Sequence, residues 1–275
     1  MKKKTGLLWF AAIGMVTLAA CGSGKDAGKA VPSATEKDEV IVGLDDTFVP
    51  MGFRDDKGDL TGFDVELATK VFETADKKVK FQPIDWSMKE TELSNGTIDM
   101  IWNGYTITPE REKKVSFTNT YMKNLQVLVT AKDSGITDFA GMKEKKLGAQ
   151  EGSSGYTTFN DQPEVLKELV DGQDATLYAS FNEAFIDLEN GRIDGLLIDR
   201  VYAEYYLAKA DKLADYNVID SPFEVEDFAV GVRKDDQALA DLINETLVKL
   251  QADGSFAEIS IKWFGYIVEM LFSCG

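Results

Sequence analysis

The sequence predicts an α/β fold built on largely parallel sheets, and three observations carry that expectation. Short apolar strands alternate with stretches whose apolar residues recur at helical spacing, which is the βαβ pattern of a parallel sheet. About 230 residues remain after the N-terminal signal and tether, enough for one large or two modest lobes. Of the 275 residues 44% are hydrophobic, which suits a globular chain.

The chain opens with Lys2, Lys3 and Lys4, continues through the apolar run Leu7 to Ala20, and reaches Leu18-Ala19-Ala20-Cys21. Basic, apolar and small-residue regions in that order predict a cleaved secretory signal over 1–20, with an apolar run short for a membrane span. The last four residues resemble a bacterial lipobox. That resemblance implies a diacylglyceryl group on Cys21, and two acyl chains suffice for stable anchoring. Residues 21–38, rich in Gly, Ala, Ser, Lys and Asp without apolar periodicity, read as a lipidated, flexible tether.

Structure is expected from Glu39. Val40 to Leu44 is a short apolar strand, and the turn Asp55-Asp56-Lys57-Gly58 follows. Phe63 to Ala75 carries Val65, Ala68, Val71, Phe72 and Ala75 on one helical face. A strand at Val79 to Pro83, a helix over Met88 to Ser94 stopped by Asn95-Gly96, and a strand from Met100 to Ile107 come next. Thr108 and Pro109 supply an N-cap and a first-turn proline. Arg111 therefore lies in a first helical turn, where the helix dipole opposes a cation and an anion is expected to meet it.

Alternation continues with strands at Leu125 to Ala131 and Lys146 to Gln150, and the loop Glu151 to Gly155 opens a helix. Ser180 and Glu183 form a capping box for Phe181 to Asn190, which Gly191 closes. Ile193 to Ile198 is a strand ending at Asp199, and Val201 to Ala210 is helical. Phe228 to Val232 is a strand, and Gln237 to Ala252 and Phe256 to Phe264 are the last helices.

Composition narrows the chemistry. Histidine is absent, which removes the usual general base and the commonest metal ligand, so Ser-His and zinc hydrolysis are not expected. The formal charge of −17 disfavours nucleic acid as a partner and would attract a cationic solute. Of two cysteines, Cys21 is committed to lipid, leaving Cys274 without a disulfide partner. No Walker motif is present, so nucleotide hydrolysis belongs to another chain.

Several motifs together resemble one family, the extracellular solute-binding proteins of polar amino acid ABC importers, which share the fold of the glutamate-receptor ligand core. The matching stretches are V-G-x-D-x-x-F-x-P-M-G-F at Val42 to Phe53, G-x-L-x-G-F-D-x-x-L-A at Gly58 to Ala68, and G-T-I-D with T-I-T-P-E-R between Gly96 and Arg111. F-T-N-T-Y at Phe117 to Tyr121, the G-S-S-G loop, G-R-I-D-G-L-L-I-D at Gly191 to Asp199, A-V-G-V-R-K-D at Ala229 to Asp235 and a late K-W-F-G complete the set. The resemblance covers about residues 39–265. It implies two lobes joined by two hinge crossings, with lobe one at 39–123 and 227–265 and lobe two at 124–226; the sequence departs from the family pattern at 266–275, an atypical apolar tail that either packs on lobe one or is a reading-frame or assembly accident. Ligand is then expected in the cleft between the lobes.

Carried over position by position, the resemblance makes Arg111 the group that grips an α-carboxylate, with Thr106 beside it, and gives Asn103 and Gly104 positions whose backbone or side chain meets the ammonium or the carboxylate. Asp199 takes the α-ammonium. Ser153 and Ser154 stand at a helix N-terminus, where free N–H groups favour an anion. Phe48 and Trp86 match or neighbour the positions that pack the ligand side chain, while strand alternation leaves Trp102 open between cleft and core. Asp45 matches the position that meets the far end of cationic side chains, and Glu151 is placed at the mouth on the other lobe.

The expected function is therefore capture of a polar L-amino acid, leaning to histidine, arginine or lysine with cystine or glutamine behind, and delivery to a membrane permease and its ATPase subunits. The implied protein is a monomer on the extracytoplasmic face of the cell membrane, with no cofactor, metal or catalytic residue. An enzyme on the same scaffold, a dehydratase or lytic enzyme, and a sensory lipoprotein are the rival readings, since fold does not fix function.

Overall fold

The computed structural model describes residues 31–270. The expected signal, Cys21, most of the tether and Cys274 lie outside the described residues. Lobe one is a five-stranded sheet in the order Lys78–Pro83, Glu39–Leu44, Met100–Ile101, Gly231–Arg233, Val115–Phe117. Lobe two repeats the plan as Ala175–Tyr178, Leu147–Gln150, Gly195–Asp199, Gln126–Ala131, Tyr216–Asp220. In each sheet four strands point one way and one is reversed, Gly231–Arg233 in the first and Gln126–Ala131 in the second. Both reversed strands enter straight from the other lobe, so no crossover helix turns them parallel.

The lobes communicate through an antiparallel ribbon in which Met122–Asn124 pairs with Glu226–Phe228, Asn124 lying opposite Glu226. This ribbon is the hinge. The expected crossings after Tyr121 and before Phe228 fall on it.

Helix Phe63–Thr74 shows why the layers form. It buries Phe63, Val65, Leu67, Ala68, Val71 and Phe72 on its sheet-facing side, each large side chain contributing roughly 1.5–3 kcal/mol. Helix Ser255–Phe264 closes over it, with Phe264 5.0 Å and Phe256 6.1 Å from the Phe63 ring. The turn into the helix needs Gly62, whose φ is +139° and where a Cβ would sit 2.3 Å from the Met51 carbonyl oxygen. In lobe two, Phe181–Glu189 and Arg200–Lys209 meet through a stack of Phe185 on Tyr206 at 4.3 Å.

Two expectations need correction. The strand predicted over Met100 to Ile107 ends at Ile101. Gly104 takes φ +56° and gives its N–H to the buried Asp64 carboxylate at 2.7 Å and the Tyr121 hydroxyl at 3.2 Å, which breaks the ladder. The tether ends earlier than residue 38. Ser33 and Ala34 donate to the two Asp236 carboxylate oxygens, Ala34 is fully buried, and Lys77 donates to the Thr35 and Lys37 carbonyls. A composition that reads as linker is thus fastened by charges far along the chain. The first residues of the apolar tail also pack: Val268 and Met270 are buried, and the Ser260 hydroxyl accepts the Val268 N–H and donates to the Tyr266 carbonyl.

Candidate functional site

Strand carboxyl ends from both sheets converge between the lobes. Leu44 leads into Asp45, Ile101 into Asn103, Leu147–Gln150 ends on Gln150, and Gly195–Asp199 ends on Asp199. Around them lies a cavity of about 270 Å³. Lobe one contributes Asp45, Phe48, Trp86, Asn103, Gly104 and Arg111; lobe two contributes Gln150, Ser153, Ser154 and Asp199. Roomier surface grooves of about 840 and 1220 Å³ are lined by no buried charged side chain. Converging buried charge, not volume, singles out the smaller space.

Arg111 is only 6% exposed. The Thr108 hydroxyl accepts its N–H at 3.2 Å, fixing the short helix Pro109–Glu112 that holds it. Its guanidinium donates to the Thr106 carbonyl at 2.9 Å and, across the cleft, to the Gly152 carbonyl at 3.1 Å, and lies 4.5 Å over the Tyr105 ring. The nearest carboxylate is Glu90, 3.9 Å from Nε. Burial opposes the Glu90 charge, but Lys89 and Arg111 outweigh it and hold that carboxyl below its usual range. No carboxylate forks onto Arg111 among the described residues; its two terminal nitrogens meet only the Thr106 and Gly152 carbonyls, and the second of these contacts comes from the other lobe. Asn103 adds a buried Nδ2 without a hydrogen-bond partner.

Opposite stands Asp199, 5% exposed and free of ion pairs among the described residues. It precedes helix Arg200–Lys209 without capping it by its side chain. Instead it accepts from Asn124 at 2.6 Å and Gln126 at 2.9 Å. Burial first, then the neighbouring Glu226, pushes its carboxyl well above the ordinary range; Arg111 and the two amides work against this.

The far pole holds Asp45. Burial raises its carboxyl, against hydrogen bonds from Thr47 and from Gln150, whose Nε2 donates at 2.8 Å. Phe48 lies beside it and meets Tyr202 at 5.6 Å and Phe181 at 5.9 Å. These last contacts, Asp45 with Gln150, Thr106 with Ser154 at 3.1 Å, and Arg111 with Gly152 all join one lobe to the other, so the cleft is closed.

Ser153 caps helix Ser154–Asp161 by accepting from Tyr156 at 3.1 Å. Trp86 is cavity wall and Trp102 is core, packed 6.0 Å from Tyr121. Thr106 does not line the cavity, though it is buried and supports Arg111 and Ser154. Glu151 is exposed and does not line the cavity: Gln150 at the strand end points inward and alternation sends the next side chain out.

Sequence reasoning missed Gln150, Lys89 and Glu226. Gln150 sits one place before the residue chosen, and strand parity could have found it. Lys89 is 2% exposed and donates to the Trp86 carbonyl and across the cleft to the Gly152 carbonyl, both at 2.9 Å. Burial and then Arg111 push its ammonium down to about 7. Within Lys89-Glu90-Thr91-Glu92 it looks like a solvated helix charge, and nothing local distinguishes it.

Known proteins resemble this chain in sequence and fold. A crystal structure of an ABC uptake transporter substrate binding protein from Streptococcus pneumoniae with bound histidine is 56% identical, with a TM-score of 0.84 over 85% of this chain and 95% of that one. The arginine-binding extracellular protein ArtP of Bacillus subtilis is 31% identical across 95% of this chain and 98% of its own length. The L-cystine-binding protein TcyJ of Escherichia coli is 32% identical across 84% of each chain. Residues 40–266 match the bacterial extracellular solute-binding proteins, family 3, and the chain belongs to that family.

Proposed function

We propose that this protein captures a polar L-amino acid, histidine first with arginine and lysine next, and hands it to an ABC permease driven by separate ATPase subunits. The observation that carries this reading is the placement of a buried guanidinium, Arg111, and a buried carboxylate, Asp199, on opposite lobes of one enclosed cavity. A zwitterion fits such poles. Asp45 at the far end suits an imidazolium, guanidinium or ammonium side chain, with Phe48 and Trp86 flanking it. The relative with bound histidine, at 56% identity, favours histidine within that class. Cystine and glutamine stand behind, as relatives bind cystine and glutamine by name.

Capture is a matter of differential affinity. The carboxylate docks on Arg111 in lobe one, and contacts with Asp199, Ser153 and Ser154 exist only when lobe two swings in, so ligand favours the closed state. Affinity near micromolar, roughly −8 kcal/mol, suits capture followed by release. Nothing in the cleft is consumed, and the protein acts without catalysis. We further propose cleavage of the signal over 1–20, lipidation of Cys21, and a monomer held on the extracytoplasmic face of the membrane.

Thermal-shift screening against the twenty amino acids plus cystine tests the ligand class. Histidine is expected to raise the melting temperature most, followed by arginine and lysine. Recovery of the bound compound unchanged after denaturing the protein is the expected mark of a receptor; a converted product would sink the reading in favour of an enzyme.

A further inference from the structure

Outside the ligand cavity a second set of side chains crosses from one lobe to the other, and it consists of rings. Phe53 of lobe one lies 6.1 Å from Tyr205 of lobe two. Trp263 of lobe one stands 5.9 Å from Phe53, edge to face at 86°, and 6.5 Å from Tyr205. Each ring thus meets the other two at the separations where aromatic pairs attract beyond the area they bury. All three are half-buried, and none of them lines the ligand cavity.

Their positions along the chain nevertheless tie them to that cavity. Tyr205 follows Tyr202 by three residues on helix Arg200–Lys209, so the two rings share a helix face. Tyr202 meets Phe48, a cavity wall residue, at 5.6 Å. Phe53 belongs to the strand Gly52–Arg54, which pairs with Thr47–Phe48. Phe48 with Tyr202 and Phe53 with Tyr205 are therefore two rungs of one seam running outward from the cavity. A rotation about the hinge ribbon that opens the cavity parts Phe48 from Tyr202, and the helix carries Tyr205 away with it as a rigid body.

The seam is thin. Tyr205 and Trp263 border both of the roomier grooves, the one of about 840 Å³ beside the ribbon residues Met122 to Leu125 and the one of about 1220 Å³ that Phe53 also lines. These rings stand between two open spaces, so the loss of one joins the spaces. The Trp263 indole N–H is buried without a partner, which leaves apolar packing rather than a hydrogen bond to hold that ring.

We propose that Phe53, Tyr205 and Trp263 are positioning residues for capture, an aromatic clasp that forms only when the lobes shut and retains ligand without touching it. This deepens the amino acid reading and rests on it. Contacts made only in the closed state raise the closed fraction of the empty protein and slow the opening of the loaded one. Docking of ligand on Arg111 precedes closure and gains nothing from them, so the clasp acts on release rather than on association.

Stopped-flow binding of L-histidine to the full chain, with L-arginine in parallel, reads association and dissociation separately, and small-angle scattering reads the radius of gyration of the ligand-free protein. Phe53→Ala and Tyr205→Ala are each expected to release ligand about three- to tenfold faster at an unchanged association rate, and to enlarge the ligand-free radius. Tyr205→Phe keeps the ring and should behave as wild type. The double alanine variant should show less than the product of the two single effects, because both remove one shared contact. A lowered melting temperature with release unchanged is what a purely local packing role would give. Release and radius both as in wild type, an effect on association alone, or single effects that multiply in full would overturn the clasp. Should wild type bind neither amino acid, the amino acid reading falls and the radius alone decides the clasp.

Discussion

Arg111 and Asp64 illustrate how single side chains carry the site. Arg111 matters for its shape as much as its charge, since only a planar fork can hold both oxygens of a carboxylate. Arg111→Lys keeps a cation but loses the fork, and should weaken amino acid binding by about 2–3 kcal/mol in calorimetry. Asp64 acts from beneath. Burial pushes its carboxyl up to about 7, against the Gly104 N–H and the Tyr121 hydroxyl that bond it. A raised acid binds its proton more tightly when folded, so the stability it lends is full below pH 4 or so, its unfolded range, and is lost as pH rises to about 7. Asp64→Asn should remove that slope from the difference between variant and wild-type unfolding curves. An unaltered pH profile would show that Asp64 does not titrate there.

At the scale of elements, the N-terminal clamp on lobe one is the feature composition concealed. Ser33 and Ala34 on Asp236, Pro32 on Arg233, and Lys37 on Asp99 form one buried charged network with Arg233 at its centre. Removing residues before 38 strips partners from buried carboxylates, which is worse than removing an exposed pair. Truncation at Asp38 should therefore lower the melting temperature by several degrees, on the order of 1–3 kcal/mol for the orphaned groups. A domain that melts at the wild-type temperature without these residues would refute the clamp.

The same comparison shows what was legible. Helix Gln237–Ala252 agrees with its predicted bounds, because an amphipathic stripe of that length has one solution. Arg111 could be singled out because a helix start announces itself locally, whereas Asp199, Asp45 and the Ser153 loop follow from the family resemblance. Lys89 and Glu226 carry no such local mark, since their meaning arises only when the other lobe closes over them, whereas strand parity was enough to mark Gln150. The break at Gly104 was hidden likewise, being set by Asp64 forty residues earlier.

For the whole molecule the question is what holds the lobes shut. Gly152, at the mouth of lobe two, offers one carbonyl to two cations of lobe one, Lys89 at 2.9 Å and Arg111 at 3.1 Å. Opening the cleft would return Lys89 to water and to an ordinary lysine; closing it drives its ammonium down to about 7 through burial and the nearby Arg111. The closed state thus binds this proton less tightly than the open one. By linkage, closure is disfavoured by Lys89 below about pH 7 and becomes easier as pH climbs toward the normal lysine range. Small-angle scattering of the ligand-free protein should show its radius of gyration falling between pH 7 and 10 or so. Lys89→Met removes the titrating group while keeping the apolar stem against Trp86, and well-packed apolar replacements of buried charges are commonly tolerated. In that variant the radius should stay small and flat across the same interval. A wild-type radius independent of pH, or a variant that follows the wild-type curve, would show that lobe closure is governed elsewhere, leaving Arg111, the aromatic clasp and the ligand as its determinants.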